Sequence, residues 1–253
     1  MNNLKISVIT VCYNAASTIS ETIKSVLSQS YVNLEYIIVD GASSDNTAEI
    51  VASFQDERIR FFSEKDEGLY DAINKGLHLS KGDILAILHA DDRFADNNVL
   101  GFVAAQFGTE NAPDALASSV NIFKPGDLIK PYRVYNASKF REWQFRIGIQ
   151  PPHPGFFITR TAFEKVGYYR TQYKISGDFE WLLRAIRIHK LKVKYTDKVS
   201  VNMLDGGLSS SGWKSKTLLN KEILRILKIH GIYSNKLLVY SKYLFKVFQL
   251  RFI

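Results

Sequence analysis

Acidic side chains stand at the ends of three predicted strands. Asp40 ends the second strand, Asp66 follows the third, and Asp91 and Asp92 follow the fourth. In an open parallel sheet, ligands bind beyond the carboxyl ends of the strands, so these carboxylates are expected to share one crevice. Crowded carboxylates resist ionising together unless a cation joins them. The pattern therefore predicts a divalent metal, Mg²⁺ or Mn²⁺, at Asp91 and Asp92, bridging to phosphate oxygens.

A helix cap is the alternative role for this acidic pair. Asp91 or Asp92 could cap the helix that follows, but Asp96 lies closer to that helix and is the better cap. Glycine-rich phosphate loops of the GxGxxG or GxxxxGK type are absent from the sequence. Phosphate binding is therefore expected to depend on the metal.

A second candidate carboxylate lies in the other half of the chain. A glycine-containing segment, residues 174–177, places Asp178 at the start of a predicted apolar helix. A carboxylate held there could accept a proton from a hydroxyl group, or it could cap the helix. Position alone leaves both roles open. Glu180 points to another face of the same helix and is the weaker candidate.

Two ring side chains could complete the crevice. Tyr13 follows the first strand, where it could stack on a flat base or pack under the first helix. His153 lies in a proline-rich loop, residues 151–155, and either lines the crevice or serves in packing.

Alternating strands and helices must position these residues. The predicted strands of the first 108 residues cover 4–12, 34–39, 58–62 and 83–88, and the predicted helices cover 17–28, 46–54, 69–79 and 97–107. Such alternation is typical of an α/β domain with a mainly parallel, doubly wound central sheet flanked by helices.

The second half of the chain is less regular. Strands at 115–123 and 128–135 flank Pro125-Gly126-Asp127 and predict a hairpin. Short helices are predicted near 138–146, 161–166 and 178–189, with a strand near 191–197. Without a repeat or a long linker, we expect one domain over residues 1–213, with halves 1–112 and 113–213.

Residues 214–253 form a basic tail. This tail holds nine Lys and Arg against one acid, Glu222, and so carries the whole net charge of +8. Its apolar and basic residues alternate at helical spacing, which is typical of helices that bind anionic membranes. The alternative is that the tail packs on the domain. Nucleic acid is not an expected partner, because the rest of the chain is neutral.

Composition narrows the protein class further. Apolar content of 46% and charged content of 23% are ordinary for a folded soluble protein. The single cysteine, Cys12, cannot form an internal disulfide, which favours a reducing compartment. We see neither an export signal nor an apolar run of ~18 residues, so a cytoplasmic protein is expected.

Four ordered segments resemble a known family. SVITVCYNAASTISETIKSVLSQSY, EYIIVDGASSDNT, SEKDEGLYDAINKG and ILAILHADD are similar to glycosyltransferase family 2, which has the GT-A fold. The similarity extends over residues 4 to about 212. It is greatest to bacterial members that build O-antigen, capsule and exopolysaccharide. The resemblance implies transfer of a sugar from a nucleotide-sugar donor to an acceptor hydroxyl, with inversion.

The resemblance also implies roles for individual residues. Asp92 would bind the metal directly, Asp91 would contact the ribose or the metal, and Asp178 would be the catalytic base. His153 and, more weakly, Glu180 would lie on the acceptor side. The remaining residues implied to bind the donor nucleotide are Thr10, Tyr13, Asn14, Asp40, Asp66 and Asn74.

The sequence departs from the family pattern at three places. Many members have two acids after the second strand, whereas this chain has Asp40-Gly41. Many members carry Arg in the helix after the third strand, where this chain has Ile73, so Asn74 or Lys75 is expected to contact the pyrophosphate. The QxxRW motif of processive synthases is missing, which favours addition of a single sugar. Gly206 to Ser209 resembles a loop that closes over the donor in this family, although it could equally be a plain connector.

The expected acceptor is a glycan or a polyprenyl-diphosphate-linked glycan. A lipid-linked acceptor would place the enzyme on the inner face of the plasma membrane.

Two other functions are weighed against transfer. A sugar-nucleotide pyrophosphorylase would have a Gly-rich, basic loop after the first strand, which Tyr13-Asn14-Ala15-Ala16 lacks. A degenerate transferase serving as a membrane scaffold would have no need of Asp91, Asp92 and Asp178. The sequence leaves the oligomeric state open.

Overall fold

The computed structural model describes residues 4–127, 129–206 and 212–249, with the side chains of the last helix described to Leu244. In the first half, strands and helices alternate as predicted. The strands are β1 (Ile6–Cys12), β2 (Leu34–Asp40), β3 (Ile59–Ser63), β4 (Ile84–Ile87) and the short β5 (Arg93–Phe94). The helices are α1 (Ile19–Leu27), α2 (Thr47–Ala52), α3 (Leu69–Leu79) and α4 (Val99–Phe107).

The second half adds shorter elements. Its strands are β6 (Ala115–Phe123), β7 (Arg133–Tyr135), β8 (Phe156–Thr159) and β9 (Val193–Leu204). Its helices are α5 (Arg160–Val166) and α6 (Gly177–Leu183), followed by α7 (Trp213–Ile229) and α8 (Lys236–Gln249) in the tail. The predicted helix near 138–146 is instead two 3₁₀ turns, Ala137–Lys139 and Glu142–Ile147.

All nine strands of the described residues form one sheet, in the order β3-β2-β1-β4-β8-β6-β9-β5, with β7 beside β6. The pairs among β3, β2, β1 and β4 are parallel, which confirms the doubly wound first half. The second half makes the sheet mixed, because β8 runs antiparallel to both β4 and β6. β6 and β7 form the predicted antiparallel hairpin, although β7 is shorter than predicted and Leu128 lies outside the described residues.

The central strands are mainly apolar because helices cover both faces of the sheet. Every residue of β1 and β2 is buried. Val8 and Ile38 pack on one face with α1 and α4, while Ile9 and Ile37 pack on the other with α3. Since alternate residues of a strand face opposite sides, an all-apolar strand requires two cores, and the structure has both.

The basic tail packs on the rest of the chain. Ile223, Ile226 and Leu227 of α7 and Val239 of α8 belong to the same buried cluster as Phe179 of α6. The inner faces of both tail helices are therefore part of the core, as the packing alternative expected. The division at residue 213 stays a prediction.

Candidate active site

A cleft of about 490 Å³ opens at the carboxyl end of the parallel strands. Tyr13 and Asn14 after β1, and Asp91 and Asp92 after β4, form one wall, while Asp178 comes from the other half of the chain. The structure thus brings both predicted catalytic groups to a single cavity. A larger depression of about 650 Å³, lined by residues such as Glu142 and Arg187, contains none of the predicted site residues.

Asp92 is the most unusual carboxylate of the cleft. It is only 1% exposed, and its Oδ1 atom has no hydrogen-bond partner in the described part of the chain. Burial, and then the charge of Asp91, raise its pKa well above the ordinary value. The turn that carries Asp92 is held by the Thr22 hydroxyl, which bonds the carbonyl oxygens of Ala90 and Asp92 at 2.9 and 2.8 Å.

These features fit a divalent cation. A buried oxygen without a donor, next to a second carboxylate, is unfavourable alone and becomes favourable when a cation joins the two groups. Two carboxylates suffice for Mg²⁺ when waters and substrate phosphates complete the shell. Among the described residues, no cluster of three or more His, Cys, Asp or Glu side chains could hold a metal without such help. Asp96 bonds the Asn98 amide at 2.8 Å near the start of α4, so Asp91 and Asp92 are not needed as caps.

Asp178 lies at the start of α6, partly buried and held in one orientation. Its Oδ2 accepts a hydrogen bond from Gln150 Nε2 at 2.6 Å. Its Oδ1 accepts from the Phe179 backbone amide at 2.8 Å and from the Tyr70 hydroxyl at 3.3 Å. Burial raises the pKa of this carboxyl, while the Gln150 bond opposes that shift. A carboxylate with a raised pKa and fixed lone pairs is suited to accept a proton.

Tyr70 and Gln150 were not singled out from the sequence. Tyr70 lies inside the SEKDEGLYDAINKG segment, and Gln150 directly precedes the proline-rich loop, but neither residue type signals a contact with Asp178. Gly177 is needed here because a Cβ atom at this position would lie 2.6 Å from the Tyr70 ring. The contact joins α3 to α6, so only the tertiary structure reveals it.

Tyr13 and Asp66 lie close together beside Gly41, where Tyr13 lines the cleft and Asp66 is not among its lining residues. The Tyr13 side chain is 66% exposed, so it does not pack under α1. A Cβ atom on Gly41 would lie 2.4 Å from Asp66 Oδ2 and 3.4 Å from the Tyr13 ring. The Asp66 carboxylate therefore occupies the space beside residue 41 where many family members carry their second acid.

Asn14 is held by the loop after β2. It adopts a left-handed backbone, with φ of 50°, and its amide donates to Ser43 Oγ at 2.7 Å. The Ser43 amide in turn donates to Asp40 Oδ2 at 3.0 Å. Asp40 is fully buried, so its position does not fit the direct nucleotide contact expected for it; it orders the loop that holds Asn14.

Three other residues expected to contact the donor, Thr10, Asn74 and Lys75, do not fit the structure either. Thr10 is fully buried, and its hydroxyl accepts a hydrogen bond from Tyr36 at 3.0 Å. Both amide atoms of Asn74 bond the backbone of Tyr169, at 2.8 and 2.9 Å. Lys75 is engaged with acidic neighbours, including Glu64 at 2.9 Å. None of the three lines the cleft, because each satisfies a structural partner instead.

Glu180 lies outside the cleft, in contrast to its expected place on the acceptor side. Its side chain is fully buried in an ionic cluster. Its partners are Arg184 at 2.9 Å, His230 at 3.1 Å and Arg170 at 3.3 Å. A carboxylate so fully paired is structural, and it ties α6 to the end of α7.

His153 lines the cleft but is itself buried. Its Nε2 atom shares a hydrogen bond of 2.8 Å with the Tyr169 hydroxyl, and its ring lies 5.9 Å from that of His89. Burial, and then the neighbouring His89, lower the pKa of His153 to about 3. A neutral His153 can shape this wall but carries no charge there. Of the loop expected to close over the donor, residues 207–211 lie outside the described residues.

The chain is similar to known transferases. The family model for glycosyl transferase family 2 matches residues 7–167. A PGL/p-HBAD biosynthesis glycosyltransferase of Mycobacterium bovis is 29% identical over 225 residues, covering 87% of this chain and 83% of the relative.

Two solved structures share the fold. S. aureus TarS in complex with UDP-GlcNAc superposes with a TM-score of 0.64 at 19% identity, covering 87% of this chain and 67% of that one. The mannosyltransferase PcManGT of Pyrobaculum calidifontis, in complex with GDP-Man and Mn²⁺, gives a TM-score of 0.62 at 18% identity, covering 88% and 64%. At these identities the likeness shows the GT-A fold alone, and this chain spans only about two thirds of either solved chain.

Proposed function

Because the chain belongs to glycosyl transferase family 2 and is a glycosyltransferase, we propose that it moves one sugar from a nucleoside-diphosphate sugar to an acceptor hydroxyl with inversion. The observation that carries this proposal is the shared cleft. Asp92, buried with an unpartnered oxygen, and Asp178, with a raised pKa, line the same cavity. Family membership decides against the sugar-nucleotide pyrophosphorylase.

Asp92 and Asp91 are the residues that would hold a divalent cation. When bound there, the cation supplies positive charge that stabilises the departing diphosphate. The two carboxylates bind and orient that charge at the exit of β4, and the Thr22 hydroxyl keeps their turn rigid.

Asp178 acts as the general base in this proposal. As the acceptor oxygen forms its bond to the anomeric carbon, the bond from that carbon to the diphosphate oxygen breaks. The electron pair leaves with the nucleoside diphosphate, and the acceptor proton passes to the Asp178 carboxylate. A single displacement inverts the centre, so an α-linked donor yields a β-linked product. Gln150 and Tyr70 hold the carboxylate in place by their hydrogen bonds.

In this proposal, Tyr13 in the cleft and Asp66 beside it bind the base. The exposed Tyr13 ring offers a surface on which a base can stack, and Asp66 Oδ2 lies beside it as a hydrogen-bond acceptor. Uracil and guanine carry a ring N–H that such an acceptor can bind, whereas cytosine and adenine do not. This chemistry favours UDP- and GDP-sugars, the donor classes bound in TarS and in the archaeal mannosyltransferase.

A panel of sugar nucleotides tests this assignment. With Mn²⁺, we expect UDP-GlcNAc, UDP-glucose or GDP-mannose to raise the thermal unfolding midpoint by about 5 °C at saturation, while CDP- and ADP-glucose have no effect. Scanning fluorimetry measures the shift, and release of nucleoside diphosphate from the stabilising donor separates an enzyme from a scaffold. If no sugar nucleotide changes the midpoint with or without Mn²⁺, the proposal is wrong.

The acceptor is proposed to be a glycan on a lipid carrier, reached from an anionic membrane surface. In the described residues, no helix has the length and apolarity to cross a bilayer. The tail instead presents an outer apolar stripe, in which Leu237 is 84%, Leu244 65% and Tyr240 48% exposed. Exposed cations, including Lys228 and Lys236, lie along the same two helices. This combination of apolar and basic groups is complementary to anionic lipid.

Vesicle binding tests the membrane proposal. Changing Leu237, Tyr240 and Leu244 together to Ser should lower the partition coefficient onto phosphatidylglycerol vesicles by at least about tenfold, because apolar area no longer enters the interface. The matched control changes Val32 and Ile129, also exposed, to Ser and should leave binding unchanged. Co-sedimentation measures both. Equal binding by the wild type and the triple variant would refute a role for this stripe.

A further inference from the structure

Glu222 is the single acid of the basic tail, and its carboxylate points into the protein. It lies on the inner face of α7 and is 9% exposed. Charged side chains on a helix ordinarily face water, so an acid buried here calls for a local reason. The reason lies in the segment that it contacts.

The Glu222 carboxylate binds three consecutive backbone amides of residues 174–176. Oε1 accepts from the Lys174 amide at 2.8 Å, and Oε2 accepts from the amides of Ile175 and Ser176 at 3.1 and 2.9 Å. Hydrogen bonds to a charged acceptor are shorter and stronger than neutral ones. Without this carboxylate, three inward-facing donors would lose their partner, which is costly.

The segment held by Glu222 leads directly to Asp178. Residues 174–176 directly precede Gly177, the first residue of α6. Lys174 and Ile175 also line the cleft, together with Asp178. The Ile175 carbonyl accepts a 2.7 Å bond from Tyr70, the hydroxyl that also contacts Asp178. A shift of residues 174–176 would therefore move Asp178 and at the same time disturb the hydrogen bond between Asp178 and Tyr70.

A second contact from α7 reaches the same helix. His230, which follows the end of α7, lies 3.1 Å from the Glu180 carboxylate, two residues beyond Asp178. The tail thus contacts the chain on both sides of Asp178: Glu222 binds the segment just before α6, and His230 contacts Glu180 within α6. These two contacts would restrict rotation as well as translation of the start of α6.

We propose that Glu222 is a positioning residue for the transfer reaction: by binding the amides of residues 174–176 it holds the Asp178 carboxylate at the acceptor hydroxyl. This inference rests on the proposed role of Asp178 as the base. It gives one side chain of α7, Glu222, a role in positioning the base, in addition to the packing of this helix on the rest of the chain.

The test is Glu222→Gln in the full chain, using the sugar nucleotide selected by the panel above. Gln offers one acceptor oxygen, and its NH₂ group opposes the amides. Because displacement of a reacting group by about 1 Å can cost about a hundredfold in rate, we expect kcat for nucleoside-diphosphate release to fall about tenfold to a hundredfold. KM for the donor, and the thermal shift produced by Mn²⁺ with UDP or GDP, should not change.

The matched control is Asn220→Ala. Asn220 is as buried on α7, but its amide donates to Tyr243 of α8 rather than to the 174–176 segment. This variant should lose stability yet keep the wild-type kcat per folded molecule. If Glu222→Gln does not fold, Glu222→Asp, which keeps the charge on a shorter side chain, takes its place; a reduced kcat at unchanged KM supports the proposal, and a wild-type kcat overturns it.

A double-mutant cycle separates this inference from the proposed function. If Glu222 acts through Asp178, Glu222→Gln should have no further effect in an Asp178→Asn background. Additive losses would show that Glu222 acts elsewhere and overturn the inference. Full activity of Asp178→Asn alone would instead refute the base assignment, while leaving the structural contact itself intact.

Discussion

Asp178→Asn should lower the rate of sugar transfer by about 10²- to 10⁴-fold while leaving donor binding intact. Asn keeps the shape of the side chain and can still accept from the Phe179 amide, but it cannot take the acceptor's proton. The proposed donor contacts of Tyr13 and Asp66 involve segments far from Asp178 along the chain, so we expect them to be unchanged. Initial rates of nucleoside-diphosphate release, together with titration of Mn²⁺ and UDP or GDP, measure the two effects separately.

The pH dependence of folding stability and of kcat, compared between the wild type and Asp178→Asn, gives an independent test. Burial raises the pKa of Asp178 above the ordinary aspartate value of 3.8, so the folded protein holds this proton more strongly than the unfolded chain does. The cost of ionising Asp178 then appears as the pH rises from about that value through the raised pKa. Above this window, Asp178→Asn should be at least as stable as the wild type. The acid limb of the wild-type kcat profile should follow the raised pKa.

Glu164→Gln provides the control for charge removal, because Glu164 is an exposed acid on α5. Its kcat should equal that of the wild type. An Asp178→Asn enzyme with undiminished turnover would mean that another group, or water, accepts the proton.

Asp92→Asn should lower transfer by about a thousandfold and remove the response to Mn²⁺. The stabilisation of phosphate charge by a cation is worth several kcal/mol, and each ~1.4 kcal/mol is tenfold in rate. The amide has one neutral oxygen in place of the buried, unpartnered carboxylate Oδ1. In scanning fluorimetry, the wild type should show a Mn²⁺-dependent rise in midpoint with UDP or GDP, and the variant should not.

The raised pKa of Asp92 also predicts how the Mn²⁺ response depends on pH. Because burial and Asp91 raise this pKa, proton and cation compete for the same carboxylate. The wild-type Mn²⁺ response should therefore strengthen as the pH rises. Without metal, Asp92→Asn should have a free energy of unfolding no lower than that of the wild type at neutral pH, because the variant no longer buries a carboxyl that is costly to ionise.

Asp96→Asn is the matched control, since Asp96 follows β4 by a few residues but pairs with Lys198 at the surface. It should keep the full Mn²⁺ response. If Asp92→Asn also kept it, the cation would have to bind elsewhere, and the assignment of Asp91 and Asp92 as ligands would fail.

Much of the fold of the first half could be predicted from the sequence, because the patterns that define its strands and helices span only a few residues each. An uninterrupted apolar strand must be covered on both faces, and alternation with helices then leads to parallel pairing. The end of a strand is also a local feature, so Asp91 and Asp92 could be placed at the edge of the sheet in advance. Asp178 was predictable in the same way, as the first acid of a helix after a glycine-containing segment.

Residue type and position along the chain did not decide which side chains face the cleft. Asp40, Thr10 and Asn74 stand within or beside the quoted motifs, yet each is engaged by a structural partner. The antiparallel insertion of β8 between β4 and β6 also follows from packing between distant segments. Sequence spacing defines a face of a strand or helix, but not which neighbouring polar group will satisfy a side chain there.

The amino-acid sequence by itself determined the parallel half of the sheet and the acids at its edge, because apolar periodicity and chain order act over a few residues. Only the tertiary structure decided that Asp66 fills the space beside Gly41, and that Glu222 holds the segment before Asp178. Those contacts join residues that are 25 to 48 positions apart. They exist because buried donors and acceptors must find partners wherever packing brings them together.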